Sequence, residues 1–365
     1  MREGWVYKKL NEVCDKGSSN IVINKLTDNN GDYPLYGASG LVKNVDFYHQ
    51  DKEYIGIVKD GAGVGRVNTY PAYSSLVGTM QYIFPKEECL LNYIKYFLVK
   101  LDLSHCVSGA TIPHIYFKDY GKELIPVPTL KEQQSIVSEL DKINELIRLK
   151  EEQLSDYDNL AQSLFYERFG DPVENEKGWE VKKLGEFSEV VRGGSPRPID
   201  NYLGGDYPWI KIGDATKGNG IYLESTKEYI IKEGINKTRY IPQGSMIFAN
   251  CGVSLGFARI ITFAGCIHDG WLAFMNIDED IVNKIFFLKS LNVCTPYFRS
   301  LAPEGTQPNL NTKIMRCFHQ ILPPLPLQQL FAQRIELIEQ QKAEIKSTIS
   351  DLETLLASRM QYWFE

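Results

Sequence analysis

Apolar residues recur in alternating steps of four and three along two stretches of this chain. The first runs Ile136, Leu140, Ile143, Ile147, Lys150, Leu154, Tyr157, Ala161 and Leu164. The second, 195 residues further on, runs Phe331, Ile335, Ile338, Lys342, Ile345, Ile349, Leu352, Leu356 and Arg359. An average step of 3.5 residues keeps a stripe on one side of an α-helix, so the spacing predicts long helices over 130–171 and 327–365. One such stripe alone reads as an ordinary amphipathic core helix. Two matched stripes read differently, because a helix of about 35 residues runs roughly 50 Å and outgrows a compact lobe. Pairing the two helices antiparallel is the economical way to bury both seams, with Ile143, Ile147, Leu154, Ile338, Ile345 and Ile349 as the expected interface residues. Proline-stiffened lead-ins precede both: Ile125-Pro126-Val127-Pro128 and Leu322-Pro323-Pro324-Leu325-Pro326. Phe165, Tyr166 and Phe169 close one helix, and Met360, Tyr362, Trp363 and Phe364 the other; these aromatics are expected to anchor a lobe or a partner.

The remaining sequence forms two lobes, 1–129 and 172–326, rich in glycine, aromatic and β-branched residues. Strand-like runs such as Tyr54-Ile55-Gly56-Ile57-Val58 and Met246-Ile247-Phe248-Ala249 are bounded by glycine turns. Leu90 to Leu103 and Val282 to Leu291 carry helical spacing. The expected fold class is α+β: two mixed α/β lobes in tandem, separated by long antiparallel coiled-coil helices with pseudo-twofold symmetry. The repeat is also visible in motifs. Gly4-Trp5 with Lys8-Lys9-Leu10 recurs as Gly178-Trp179 with Lys182-Lys183-Leu184, and Gly31-Asp32-Tyr33-Pro34 as Gly205-Asp206-Tyr207-Pro208, both 174 residues on. Thr111-Ile112-Pro113 becomes Thr306-Gln307-Pro308, and Gln133-Gln134 becomes Gln328-Gln329, now 195 on. The second copy therefore carries 21 extra residues (195 − 174). A duplicated chain suits a partner that is nearly twofold or used twice, duplex DNA with two half-sites being the leading example.

The net charge of −6 has the wrong sign for nucleic acid until it is divided along the chain. Residues 1–130 hold 14 basic and 14 acidic side chains, and 171–326 hold 17 of each. The excess falls on 131–170 (5 against 9) and 327–365 (4 against 6), the two helices. Neutral lobes can still carry basic faces. Acidic helices are expected to face protein. No apolar run approaches the 18 residues of a membrane span, and the N-terminus lacks the apolar core of a secretory signal, so a cytoplasmic protein is expected. Seven scattered cysteines include no CxxC pair, and no metal or cofactor is expected; a metal shared by Cys266 and His268 is the weaker alternative to core or surface positions.

Catalytic signatures are missing too. The chain has no GxxxxGK[ST] loop, no HExxH helix and no Asn-Pro-Pro-aromatic tetrad. Gly61-Ala62-Gly63-Val64-Gly65 is a glycine-rich turn before Arg66, loosely matched by Asn250-Cys251-Gly252-Val253-Ser254-Leu255-Gly256 before Arg259. A non-catalytic binding protein is expected. Its candidate contacts lie on loops where glycine permits close approach and polar side chains supply donors. They are Ser39, Lys59, Arg66, Thr111 and His114 in the first lobe. In the second they are Arg192, Ser195, Arg197, Lys211, Asn250, Arg259, Gln307 and Asn309. Each arginine has alternatives: guanine, phosphate or a carboxylate of its own lobe. For Arg66 and Arg259 a structural role in the turn stands beside these.

Two variable lobes alternating with two similar helices, the GW-x-x-KKL openings and the Pro-Leu-Pro-Leu-Gln-Gln run at 324–329 resemble the specificity (S) subunit of type I restriction–modification enzymes. Gly204-Gly205-Asp206-Tyr207-Pro208-Trp209-Ile210-Lys211-Ile212 and Asp60-Gly61-Ala62-Gly63-Val64-Gly65-Arg66 add to the likeness, which covers the whole chain. The resemblance implies that each lobe is a target recognition domain reading half of a split asymmetric double-stranded DNA sequence. It also implies that the helices space the half-sites, that two methyltransferase (M) subunits dock on the scaffold, and that restriction (R) subunits join them. The chain opens almost directly on its first lobe and ends one residue after Phe364, so no tail for further partners is expected. Two other classes are left open: a two-lobed coiled-coil adaptor for carbohydrate or protein ligands, and a self-contained methyltransferase–specificity fusion, which would need the missing cofactor and Asn-Pro-Pro motifs.

Overall fold

In the computed structural model, residues 4–109, 113–216, 220–301 and 309–365 are described. The predicted helices are Leu130–Phe169 and Leu325–Phe364. The second begins at Leu325, taking Pro326 into its first turn, where a missing N–H costs nothing. By packing, the chain divides into two compact units, Met1–Lys150 with Thr348–Glu365, and Glu151–Ser347.

The first unit holds the first lobe. Its main antiparallel sheet runs in the order Cys14–Ser18, Met80–Pro85, Tyr54–Val58, Val67–Tyr70. A smaller sheet is built on Tyr33–Gly37, which pairs antiparallel with Gly40–Val45 and parallel with Ser75–Leu76. Val6–Lys9 and Leu124–Val127 close the lobe as a two-stranded ribbon. The lobe helix Leu91–Leu101 packs Tyr93, Ile94 and Phe97 into the core with Ile55, Ile57 and Ile83. Ile136, Val137 and Leu140 of the first long helix join that core, as does Phe364 from the end of the second, whose ring meets Tyr93 at 5.1 Å. Glu139 pairs with Arg359 and accepts from Trp363 Nε1 at 3.1 Å. The charged seam position Arg359 is thus matched by a carboxylate that it holds below the usual range.

The second unit repeats this plan. Its main sheet runs Glu189–Arg192, Trp271–Met275, Met246–Ala249, Ala258–Ile261, the same order of equivalent strands, and gains an edge strand, Tyr222–Leu223. That strand lies in the stretch where the second copy is longer. Leu203–Ile210, carrying the second GDYP, pairs antiparallel with Glu228–Ile230 and parallel with Gly265–Ile267, as its counterpart does in the first lobe. Glu180–Lys183 and His319–Leu322 form the closing ribbon. Phe165 and Phe169 meet Phe286 of the lobe helix Lys284–Val293 and Phe331 of the second long helix. Phe165, Phe169 and Phe364 therefore anchor lobes, while Tyr166 and Tyr362 stay exposed. Lys342, another seam position and only 2% exposed, bonds Asp158 at 2.7 Å and Glu339 at 3.3 Å.

In the second unit the helices run antiparallel: contact falls from 342 to 331 on one helix as it rises from 158 to 165 on the other. All the seam positions are buried or half-buried. Ile143, Ile338 and Ile345 are buried, while Ile147, Leu154 and Ile349 are half-buried.

Candidate nucleic-acid interface

The first lobe gathers most of its candidates around one hairpin. The segment after Tyr54–Val58 turns through Gly61, Gly63 and Gly65, all left-handed (φ 86°, 84° and 86°), and returns as Val67–Tyr70. A strand–turn–strand cannot offer phosphates a helix N-terminus, so the glycines make a tight turn and no dinucleotide cradle. Gly65 N–H closes the turn on Val58 O at 2.8 Å. Exposed Arg66 donates to Ala38 O at 3.0 Å, drawing the turn toward Ser39. Lys59 lies 3.8 Å from Asp60, and Asp60 bridges His114, whose ring stands edge-on to Tyr116. Ser39, Lys59, Arg66 and His114 thus converge; Thr111 lies outside the described residues.

The second lobe repeats the hairpin but changes its side chains. Gly256 N–H bonds Ala249 O at 3.0 Å and Phe257 N–H bonds Ser254 O at 3.2 Å, matching Gly65 to Val58 and Arg66 to Gly63. The structural counterpart of Arg66 is therefore Phe257, which corrects the pairing of Arg66 with Arg259. Arg259 lies inside Ala258–Ile261, 4% exposed, with its guanidinium 3.7 Å from the centre of the Phe257 ring. Burial lowers its pKa to about 10, while Glu339 and Asp158 support its charge. It is a largely buried cation in the wall of a recess, not an exposed loop side chain. Asn250 matches Lys59 in position but is 0% exposed, so it too leaves the surface set. Exposed Asn309 bridges Cys251 as His114 bridges Asp60, 195 residues earlier. Gln307 lies outside the described residues.

The richest cluster in this lobe was invisible in the sequence because its centre, Asp269, lies 74 residues from Ser195. Ser195 Oγ donates to Asp269 Oδ1 at 2.8 Å, and Arg197 reaches Oδ2 at 3.5 Å. His268 Nε2 lies 2.9 Å from Oδ1, and Arg192 Nε donates to the Asp269 carbonyl at 3.3 Å. The segment 192–197 is laid on this residue as backbone: an added Cβ on Gly193 would stand 2.1 Å from His268 O. Lys211 is the irregular residue between Leu203–Ile210 and the helical turn Ile212–Ala215, with Asp214 accepting its N–H at 2.9 Å and Glu228 pairing with its ammonium. Ser195, Arg197, Lys211, Glu228 and His268, above buried Trp209, line a recess of about 310 Å³. Arg197 has the freest head, with 81% of its side chain exposed.

Burial opposes the charge on Asp269, but the Ser195 hydrogen bond and the neighbouring His268 and Arg197 together hold its carboxyl below the usual range. Burial, with Lys211 and Arg197 adding to it, depresses His268 against the pull of Asp269. Both folded-state values are lowered, so both groups contribute stability at neutral pH that is lost as the pH falls. Asp269→Ala should destabilise the second unit by roughly 1 kcal/mol at pH 7, a figure discounted for partial solvent exposure. The gap to the parent protein, read from urea midpoints, should shrink as pH falls through the carboxylate range. An unchanged gap there would show that Asp269 acts by packing alone.

The sequence matches the family model for the type I restriction modification DNA specificity domain over residues 2–156 and 176–354. The MjaIX specificity subunit of Methanocaldococcus jannaschii is 28% identical over 284 residues, 68% of this chain and 62% of that protein. The HindI specificity subunit of Haemophilus influenzae is 25% identical over 163 residues, 44% of this chain and 35% of that one. The chain thus spans less than two thirds of these relatives' length. The crystal structure of the type I restriction–modification S subunit from M. genitalium shares the fold, with a TM-score of 0.55 at 18% identity, covering 100% of this chain and 98% of the other. With two copies of one lobe-and-helix plan and a family match over both, the chain belongs to the type I restriction modification DNA specificity domain family.

Proposed function

We propose that this chain is the non-catalytic, sequence-reading subunit of a type I restriction–modification complex. Each lobe reads one half of a split, asymmetric DNA target, and the paired helices set the gap between halves. Two methyltransferase subunits dock on the chain and restriction subunits join them. The observation that carries this reading is one frame built twice with different side chains at the same places. Arg66 and His114 in the first lobe become Phe257 and Asn309 in the second, on hairpins with the same hydrogen bonds and the same bridge. Equivalent frames with different side chains suit the recognition of two unlike half-sites.

Purifying the chain with its methyltransferase and mapping methylated bases tests this directly. A bipartite target with a fixed gap is the expected result. No salt-dependent DNA affinity, alone or in complex, would instead favour a two-lobed adaptor for other ligands. Arg197 holds most of its side chain in solvent, and Arg197→Ala should weaken complex binding while leaving the fold intact. A phosphate contact would lower the salt slope by about one and leave sequence preference unchanged. A base contact would relax one position of one half-site, worth about 1–3 kcal/mol. Parent affinity, slope and preference would remove Arg197 from the reading surface.

A further inference from the structure

Each long helix is fastened to its lobe by one buried glutamine. Gln133 and Gln328 stand 195 residues apart and are both 0% exposed, whereas their neighbours Gln134 and Gln329 face solvent. Gln133 Oε1 accepts the Leu90 N–H at 2.9 Å, and Nε2 donates to the carbonyls of Glu88 at 2.8 Å and Pro128 at 3.0 Å. Gln328 makes the same set: its Oε1 accepts the Asn283 N–H at 2.9 Å, and its Nε2 donates to Pro323 O at 2.7 Å and Ile281 O at 3.4 Å. Leu90 and Asn283 are the N-caps of the lobe helices, and Pro128 and Pro323 follow the closing strands. One carboxamide therefore ties three elements together in each unit: closing strand, lobe helix and long helix.

The chemistry suits a joint better than a filler. A buried amide is costly unless bonded, and an apolar side chain of similar size would fill the space without that risk. What the amide adds is direction. Its bonds lie in one plane and hold the helix start at one angle, whereas apolar contacts tolerate sliding. The reading hairpins differ between lobes, but the joint is the same in both. Bound DNA demands such an angle, because one turn of about 10–10.5 base pairs fixes the rotational phase of two half-sites together with their separation.

We propose that Gln133 and Gln328 are positioning residues that fix each lobe on its helix and so define the half-site spacing the protein accepts. This rests on the DNA-reading function proposed above. The test uses the complex with its methyltransferase subunits and DNA carrying the half-sites at native spacing or one base pair longer or shorter. The parent complex is measured first; if it methylates no bipartite site, the DNA-reading function fails whatever the glutamines do. If it does, Gln133→Met and Gln328→Met should raise the ratio of altered-spacing to native-spacing methylation about tenfold, with both half-site sequences kept. Hydrogen exchange at Leu90 and Asn283 reports whether the joint has opened. An open joint with an unchanged ratio would overturn the proposal, leaving the glutamines as fold-stabilising only. Should the methionine variants fail to fold, Gln133→His and Gln328→His, which keep one acceptor and one donor, are judged by the same ratio.

Discussion

Ile143→Asp and Ile338→Asp should each cost on the order of 3–5 kcal/mol, since each loses an apolar contact and buries a carboxylate with no partner. Ile143 is 7% exposed and packs in the first unit; Ile338 is 6% exposed and packs in the second, beside Phe331 and Ile335. Domains are stable by only about 5–15 kcal/mol, so either change should open its own unit first. Hydrogen exchange would show the Ile143 variant losing protection near 130–150 and 348–364, and the Ile338 variant near 151–169 and 325–347. The double variant should assemble poorly with methyltransferase. Unchanged melting and assembly in the double variant would mean that the seam does not hold the helices together. Ile143→Val and Ile338→Val, at about 0.5–1.5 kcal/mol each, separate loss of packing from burial of charge.

The seam was legible because helical periodicity is local and was written twice. Two of its three charged positions made sense once partners were visible: Arg359 meets Glu139, and Lys342 meets Asp158 and Glu339. Such pairs favour one register over a slipped one. The lobe topology was partly legible, since the GDYP segments and strand-like runs recur in order. What periodicity could not reveal were contacts made across the fold. Asp269 organises Arg192, Ser195 and Arg197 from more than 70 positions away, and Glu228 neutralises Lys211 because adjacent strands place Trp209 opposite Glu228. Arg259 was misplaced for a different reason. Matching arginine to arginine ignored that Gly65 and Gly256 close equivalent turns, after which Arg66 aligns with Phe257 and Arg259 falls two residues further on, inside a strand. A search for equal hydrogen-bond roles, rather than equal residue types, finds the right partner.

Lengthening the helices should change the gap between half-sites and nothing else. Four residues added after Ser155 extend the first long helix by about 6 Å, close to two base-pair steps of about 3.4 Å. Inserted in one helix alone they would push Asp158 out of register with Lys342. The antiparallel pairing places Ser155 opposite the region of Ile345, so a matched insertion after Ile345 restores the match. Four residues are slightly more than one turn, a stutter that shifts the seam locally without breaking it. The doubly extended protein, in complex with methyltransferase, should methylate targets whose halves are about two base pairs further apart and lose activity at the original gap. The half-site sequences should not change, because no reading hairpin is touched. An extended protein that keeps the original spacing at full rate would show that the gap is set elsewhere, in the docked subunits or the lobe joints. The joints can then be told apart from the helices, because the Gln133 and Gln328 variants loosen spacing in both directions whereas insertion moves it in one.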